Sequence, residues 1–381
     1  MKKNVSQLLR GLFLLMAAVV LLVGCGSTEE GTDTSTEDTS TTETTEVEET
    51  SEADVEEEGE DEAAAGDQDF EGRTLNVVAT SEAYVPMFEA FTEETGAEVE
   101  FLSMSSGEVL SRMEAEGEAS ADLWFGGGLD AFMDAKDKGL LQNYQSPNAE
   151  DVSEDYKDAD GAWIAKGLTV VGFLGNNEIL EELGLEMPTT WDELADPQYE
   201  GEVLMSNPAI SGTNYAAVKG ILDLKGEEEG WAYWEELNQN IPFYTKRGGD
   251  PRDRTAQGEF ALGIIPVDKI SFDLAEDNNL TVVYPEDGIP WVPEGVAIFD
   301  GAENGDIAEA FIDFMLTPEG QEFIVEADGK DTAQLVKPDA EGYDLGLPEE
   351  DLVDQDLSTF GTMREEILER FGEISSGKEE E

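Results

Sequence analysis

Histidine is absent from this 381-residue chain, and cysteine occurs once. The first absence removes the side chain that most often moves protons near neutral pH, and with it the commonest metal ligand. The second excludes an internal disulfide and any multi-cysteine metal site. Positive charge is scarce: 21 Lys and Arg stand against 90 Asp and Glu, for a formal net charge of -69. A chain so acidic repels a phosphate backbone, which excludes nucleic acid as a partner. There is no Gly-Lys-Ser/Thr phosphate loop, no Gly-x-Ser-x-Gly elbow and no tandem repeat. Without His, a reactive Cys or a nucleophile motif, an enzyme is disfavoured; paired carboxylates in a surface hydrolase are the catalytic alternative. We expect neither cofactor nor resident metal.

What is present begins with a signal-like segment, residues 1–24. Lys2, Lys3 and Arg10 precede an uncharged run from Leu12 to Val23. At about a dozen residues the run is short for a membrane span and suits a signal-peptide core. Leu22-Val23-Gly24-Cys25 then resembles the processing site of bacterial lipoproteins. That resemblance implies a diacylglyceryl group on the Cys25 thiol and an extracytoplasmic protein anchored to the bacterial cell membrane. The plain alternative for a lone Cys is a small buried hydrophobe. Residues 25–72 pair this Cys with a Ser/Thr/Glu/Asp tract; Gly26 to Gly72 hold 20 acidic residues and no basic one. Such a tract buries too little apolar surface to offset chain entropy, and its like charges extend it. We expect a disordered tether. The remaining 70 acidic and 18 basic residues keep the rest strongly negative. Such acidity suits a high-salt habitat, where screening suppresses self-repulsion.

From Arg73 onward the pattern alternates between strand and helix. Leu75–Ala79 is a short apolar run; Val85, Phe88, Phe91 and Thr92 share one helical face, which Gly96 stops; Val99–Leu102 starts the next strand. This is a βαβ unit and implies parallel strands. Ligands of open α/β sheets sit at the carboxyl ends of strands, which draws attention to the loop Thr80-Ser81-Glu82. Ser105-Ser106-Gly107-Glu108 opens a second helix, and Asp122–Phe125 a third strand. Gly126-Gly127-Gly128 either lets backbone come close to something or is simply a turn. Later come a buried strand after Trp163, a helix with Trp231, Trp234 and Leu237 as its apolar stripe, and a helix near Met363–Phe371.

Taken in order, "SSGEVLSRMEAEG", "ADLWFGGGLDAF", "WDELADPQYEGEV", "NPAISGT", "GWAYWEELNQNI", "GEFALGI" and "AEAFIDFMLTPEGQEF" resemble the bacterial extracellular solute-binding proteins of ABC importers. The subgroup is the one with ferric-iron, phosphonate and sugar-phosphate binders. The resemblance spans about Leu75 to Glu326. It implies an α/β, two-lobe, periplasmic-binding-protein-like (type II) fold with a hinge and an interlobe cleft. Lobe 1 is expected over 73–170 and 293–340, lobe 2 over 171–292 and 341–381, with chain crossings near 171 and 292. It further implies a monomeric carrier that takes a small anionic solute to a membrane permease driven by a partner ATPase.

The site expectations follow. "SNPAISGTNYAAV" puts Ser211, Gly212 and Thr213 at the mouth of a helix. Helix starts carry free N–H groups and about half a positive charge, so they hold anions without a cationic side chain. An ordinary N-cap explains the same residues; the resemblance favours the ligand, because the family's anion-holding loop falls here. Ser106 and Gly107 offer a similar start from the other lobe. The cluster "KRGGDPRDR" packs Lys246, Arg247, Arg252 and Arg254 into nine positions. It either neutralises Asp250 and Asp253 or, as the resemblance implies, gives Arg247 to a phosphonate or phosphate. Ferric binders of the subgroup carry an adjacent Tyr pair near the place of Asp268-Lys269, and no Tyr-Tyr occurs in this chain. A ferric ligand is therefore the alternative rather than the first choice. Asp268 is left to receive an ammonium or sugar hydroxyls, or merely to pair with Lys269. Trp291 either stacks on the ligand or packs the hinge.

Overall fold

A computed structural model describes residues 69–116 and 121–378. The signal-like segment, Cys25 and nearly all of the acidic tract lie outside the described residues. The first half runs β1 (Thr74–Ala79), α1 (Val85–Thr95), β2 (Glu98–Ser103), α2 (Ser106–Glu116), β3 (Leu123–Gly128), α3 (Leu129–Asp137), β4 (Leu141–Gln142) and β5 (Ile164–Asn176). It continues through α4 (Asn177–Leu183), α5 (Trp191–Leu194), β6 (Val203–Ser206), α6 (Gly212–Lys225), α7 (Glu227–Asn240) and β7 (Tyr244–Thr245). Then follow α8 (Asp250–Ala256), β8 (Leu262–Val267), α9 (Lys269–Asn278), β9 (Leu280–Val283) and β10 (Trp291–Phe299). The chain closes with α10 (Gly305–Met315), α11 (Pro318–Asp328), α12 (Thr359–Thr362) and α13 (Arg364–Ile374).

The strands join in the order β2-β1-β3-β10-β5-β8-β6-β7, with β4 against β10 and β9 against β5. β1, β2 and β3 are mutually parallel, as are β6, β7 and β8. Between these groups, β5 and β10 run antiparallel to each other and to their outer neighbours. β5 is buried at every position along its 13 residues. It pairs with β10 up to Val170 and with β8 from Val170 onward. Two parallel units are thus hung on one pair of long central strands.

Local chemistry explains the helices. α1 ends at Gly96 in the left-handed region, and its buried face is Met87, Phe88 and Phe91. Phe88, Phe91, Phe125 and Phe311 meet edge to face or tilted with centroids 5.0–6.1 Å apart, geometry worth about 0.5–1.5 kcal/mol per pair beyond area burial. The stripe Trp231, Trp234 and Leu237 of α7 is buried as expected, and Phe371 of α13 stacks edge-on against Trp234. The C-terminal helices therefore cover α7 and α6, where Tyr215 Oη donates to Phe360 O at 2.8 Å.

Gly126-Gly127-Gly128 is not a turn. It completes β3, with Gly126 and Gly127 at φ +88° and +109°. A Cβ at Gly127 would lie 2.6 Å from Ser106 Cβ, and one at Gly128 2.6 Å from Gly212 Cα. The glycines leave room for the Ser106 side chain of α2 and for the backbone at the start of α6.

Candidate functional site

The turns after β1, β2, β3, β6, β7 and β8 open onto one cleft of about 390 Å³. Strand order and the parallel runs on either side of β5 and β10 bring these carboxyl ends together, the usual place for a ligand in open α/β sheets. The volume suits a small molecule, since such sites run from about 300 to 1,000 Å³.

Four helices of nine residues or more begin at this cleft: α2 at Ser106, α3 after Gly128, α6 after Ser211 and α9 after Asp268. Three of the four starts are already occupied by a carboxylate of the protein. Glu108 accepts from Ser105 N and Oγ before α2, at 3.1 and 2.6 Å. Asp130 sits buried in the first turn of α3. Asp268 caps α9, accepting from Ser271 N at 2.7 Å and Ser271 Oγ at 2.8 Å. α6 differs. It is 14 residues long, and its first turn holds no acidic residue. Asp130 Oδ1 of α3 lies beside Gly212, but of the four starts that of α6 alone has no acidic residue of its own, which makes it the one best able to take an anion from outside. Ser211, Gly212 and Thr213 line the cleft there.

The loop 247–250 closes the same side. Arg247 O accepts from Ser206 Oγ at 2.6 Å, and Arg247 N donates to Asp250 Oδ2 at 3.1 Å. Gly248 lies against Ser211, where a Cβ would come within 2.9 Å of its Oγ. The Arg247 side chain is exposed at the cleft and has no hydrogen-bond or ion-pair partner among the described residues. The other cations of the wall are engaged. Arg252 Nη1 donates to Asp268 Oδ2 at 3.1 Å, and Lys330 Nζ to Glu294 at 2.9 Å and Leu168 O at 2.9 Å.

A compensated ion cluster floors the cleft. Lys166 of β5 is fully buried, donates to Glu294 Oε2 at 2.8 Å and also bonds Asp328. Tyr84 Oη donates to Asp328 Oδ1 at 2.7 Å. Burial alone would raise the Glu294 carboxyl, but Lys166 and Lys330 hold it well below the usual carboxylate range. Burial pushes Asp268 up from its ordinary value, with Arg252 and the Ser271 donors opposing. Among the described residues no group of three or more Asp, Glu, His or Cys side chains is arranged to hold a metal ion.

Of the residues expected at the site, the structure brings Ser81, Ser106, Gly127, Ser211, Gly212, Thr213, Arg247 and Asp268 to the cleft wall. Gly107 and Trp291 sit elsewhere. Gly107 faces the backbone just before α6, its N donating to Ile210 O at 3.2 Å. Trp291 packs edge-on against Tyr156, and its Nε1 donates to Val353 O at 2.9 Å. Asp268 pairs with Arg252 and not with its neighbour, because Lys269 turns along α9 to Asp273 at 2.6 Å. The sequence reading did not anticipate Thr169, Arg252, Glu294, Asp328 or Lys330 in the wall. A signal for the floor was available: Lys166 interrupts an apolar run, and a buried lysine requires carboxylates beside it.

The comparisons agree with this architecture. Residues 120–345 match the family described as bacterial extracellular solute-binding protein. A solved periplasmic binding protein, AfuA of Actinobacillus pleuropneumoniae with fructose-6-phosphate bound, superposes with a TM-score of 0.75 and 29% identity, covering 80% of this chain and 99% of that one. An uncharacterised Haemophilus influenzae protein is 33% identical over 239 residues, 61% of this chain and 69% of that protein. The phosphoglycerate transport regulatory protein PgtC of Salmonella typhimurium is 30% identical over 165 residues, and the match spans 43% of this chain and 41% of that protein.

Proposed function

The chain belongs to the bacterial extracellular solute-binding proteins, and on that premise we propose that it captures a small organic oxyanion, a phosphate ester or a phosphonate, between its two lobes. The observation that carries this is the start of α6, the cleft helix whose first turn is free of acid. The amides of residues 212 and 213 and the hydroxyls of Ser211 and Thr213 supply donors, and Arg247 adds a charge-assisted bond. The phosphorylated ligand of the AfuA structure and the phosphoglycerate relative support a phosphate group over a bare metal ion. Asp268, held by Arg252, and the floor carboxylates face the rest of the solute.

Residues 73–170 with 293–340 act as one lobe, and 171–292 with 341–381 as the other. The exchange of partners by β5 at Val170 supports a hinge near 171 and 292. Solute that touches both lobes favours the closed state by its differential affinity. The closed monomer then docks on an ABC permease, whose ATPase supplies the energy. A lipid on Cys25 holds the protein at the outer face of the membrane. No described helix is long and apolar enough to cross one.

Titration calorimetry with fructose 6-phosphate, 3-phosphoglycerate, 2-aminoethylphosphonate and ferric citrate tests the reading. Saturable binding of at least one phosphorus compound, recovered unchanged, is expected. Binding of ferric citrate alone would move the assignment to iron; conversion of the compound would make the protein an enzyme.

A further inference from the structure

The reading of α6 as the anion grip raises a question at Ser211. A hydroxyl has one proton to donate and two acceptor positions, and an N-cap serine normally spends its oxygen on its own helix. Ser211 Oγ accepts from Asn214 N at 3.4 Å and from Asn214 Nδ2 at 3.0 Å. Both acceptor positions are therefore filled by one residue. Among the described residues the Ser211 hydroxyl donates to nothing, and Ser211 lines the cleft.

We propose that Asn214 is a positioning residue: by filling both acceptor positions of Ser211 it turns that hydroxyl into an obligate donor aimed at the solute's oxyanion. Asn214 is fully buried and is not part of the cleft wall, so it acts through Ser211 and not by touching ligand. Its Oδ1 is buried without a hydrogen-bond partner. Leaving a buried acceptor unmet costs stability, and here the Nδ2 bond to Ser211 fixes which way the amide faces. The result is a helix start at which the Ser211 hydroxyl joins the amides of 212 and 213 as a donor. Gly248 lets the 247–250 loop lie over the same oxygen.

The proposal rests on the anion-binding reading, and a double-mutant cycle separates the two. Inorganic phosphate is the probe, titrated into the wild type, Asn214→Ala, Ser211→Ala and the double variant, with a thermal melt of each. Ser211→Ala is expected to weaken phosphate about tenfold, from loss of one hydrogen bond to a charged group. Asn214→Ala should weaken it severalfold in the wild-type background and not at all when Ser211 is already Ala. Equal losses in both backgrounds would overturn the role of Asn214 while leaving the anion site intact. No loss on Ser211→Ala would overturn the site itself and this proposal with it. Asn214→Asp keeps the shape and reverses the polarity: its carboxylate accepts a hydrogen bond from the Ser211 hydroxyl, so affinity should fall at least as far as in Asn214→Ala. Unchanged affinity in Asn214→Asp would mean that Ser211 already donates to position 214, which contradicts the proposal.

Discussion

Ser211 and Thr213 contribute hydroxyls, and residues 212 and 213 contribute amides, to a helix start with no acidic residue in its own first turn. Replacing both hydroxyl residues with Ala should weaken solute binding by more than about tenfold, since each bond to a charged group is worth about 1.5–3 kcal/mol; calorimetry reads this directly. Glu294 belongs to the floor. Its carboxyl is buried yet held well below the usual range by Lys166 and Lys330. A carboxylate with a depressed folded value stabilises the fold above its unfolded value and loses that contribution as pH falls. Glu294→Gln leaves Lys166 short of a partner, which costs about 3–5 kcal/mol at neutral pH. The gap in melting temperature between wild type and Glu294→Gln should therefore be widest near pH 7 and shrink below about pH 4. A gap independent of pH would mean that Glu294 is not ionised in the fold.

At the scale of elements, the start of α2 meets the turn before α6 backbone to backbone. A Cβ on Gly107 would fall 2.0 Å from Ala209 O. Within α2 alone, Ala is favoured over Gly by about 1 kcal/mol. The backbone clash outweighs that preference, so Gly107→Ala should lower the melting temperature and weaken solute binding by forcing the start of α2 away from residues 209–210. The same element also shows how far sequence reaches. The βαβ order and the α7 stripe were legible, because apolar spacing and a stopping Gly act locally. The start of α6 was legible from Ser-Gly-Thr. Gly107 was read as part of a helix start, and its contact with Ile210, about a hundred residues away in the chain, was not legible. Trp291 looked equally suited to ligand or packing, and its bond to the Val353 carbonyl, 62 residues on, was not readable from local spacing. Among the arginines of "KRGGDPRDR", sequence shows the cluster, but the turn of α8 determines that Arg252 reaches Asp268, while the Arg247 side chain has no partner among the described residues.

For the whole molecule the dominant fact is a net charge of -69. Surface repulsion of that size is screened within about 8 Å at physiological ionic strength and about 3 Å at 1 M. Melting temperature should therefore rise as sodium chloride goes from 0.05 to 1 M. The same field repels an anionic solute at a distance, so its association rate should increase with salt, the reverse of a cationic site. Stopped-flow measurement at several salt concentrations checks the sign. A net-negative protein can hold an anion only where local donors outweigh the long-range field, and that requirement returns the account to residues 211 to 213. A crystal structure of the protein with fructose 6-phosphate tests it most directly. The phosphate oxygens are expected within hydrogen-bond distance of the amides of 212 and 213 and of Ser211 Oγ. A phosphate seated at the Arg252–Lys330 end of the cleft, with the start of α6 empty, would contradict the account.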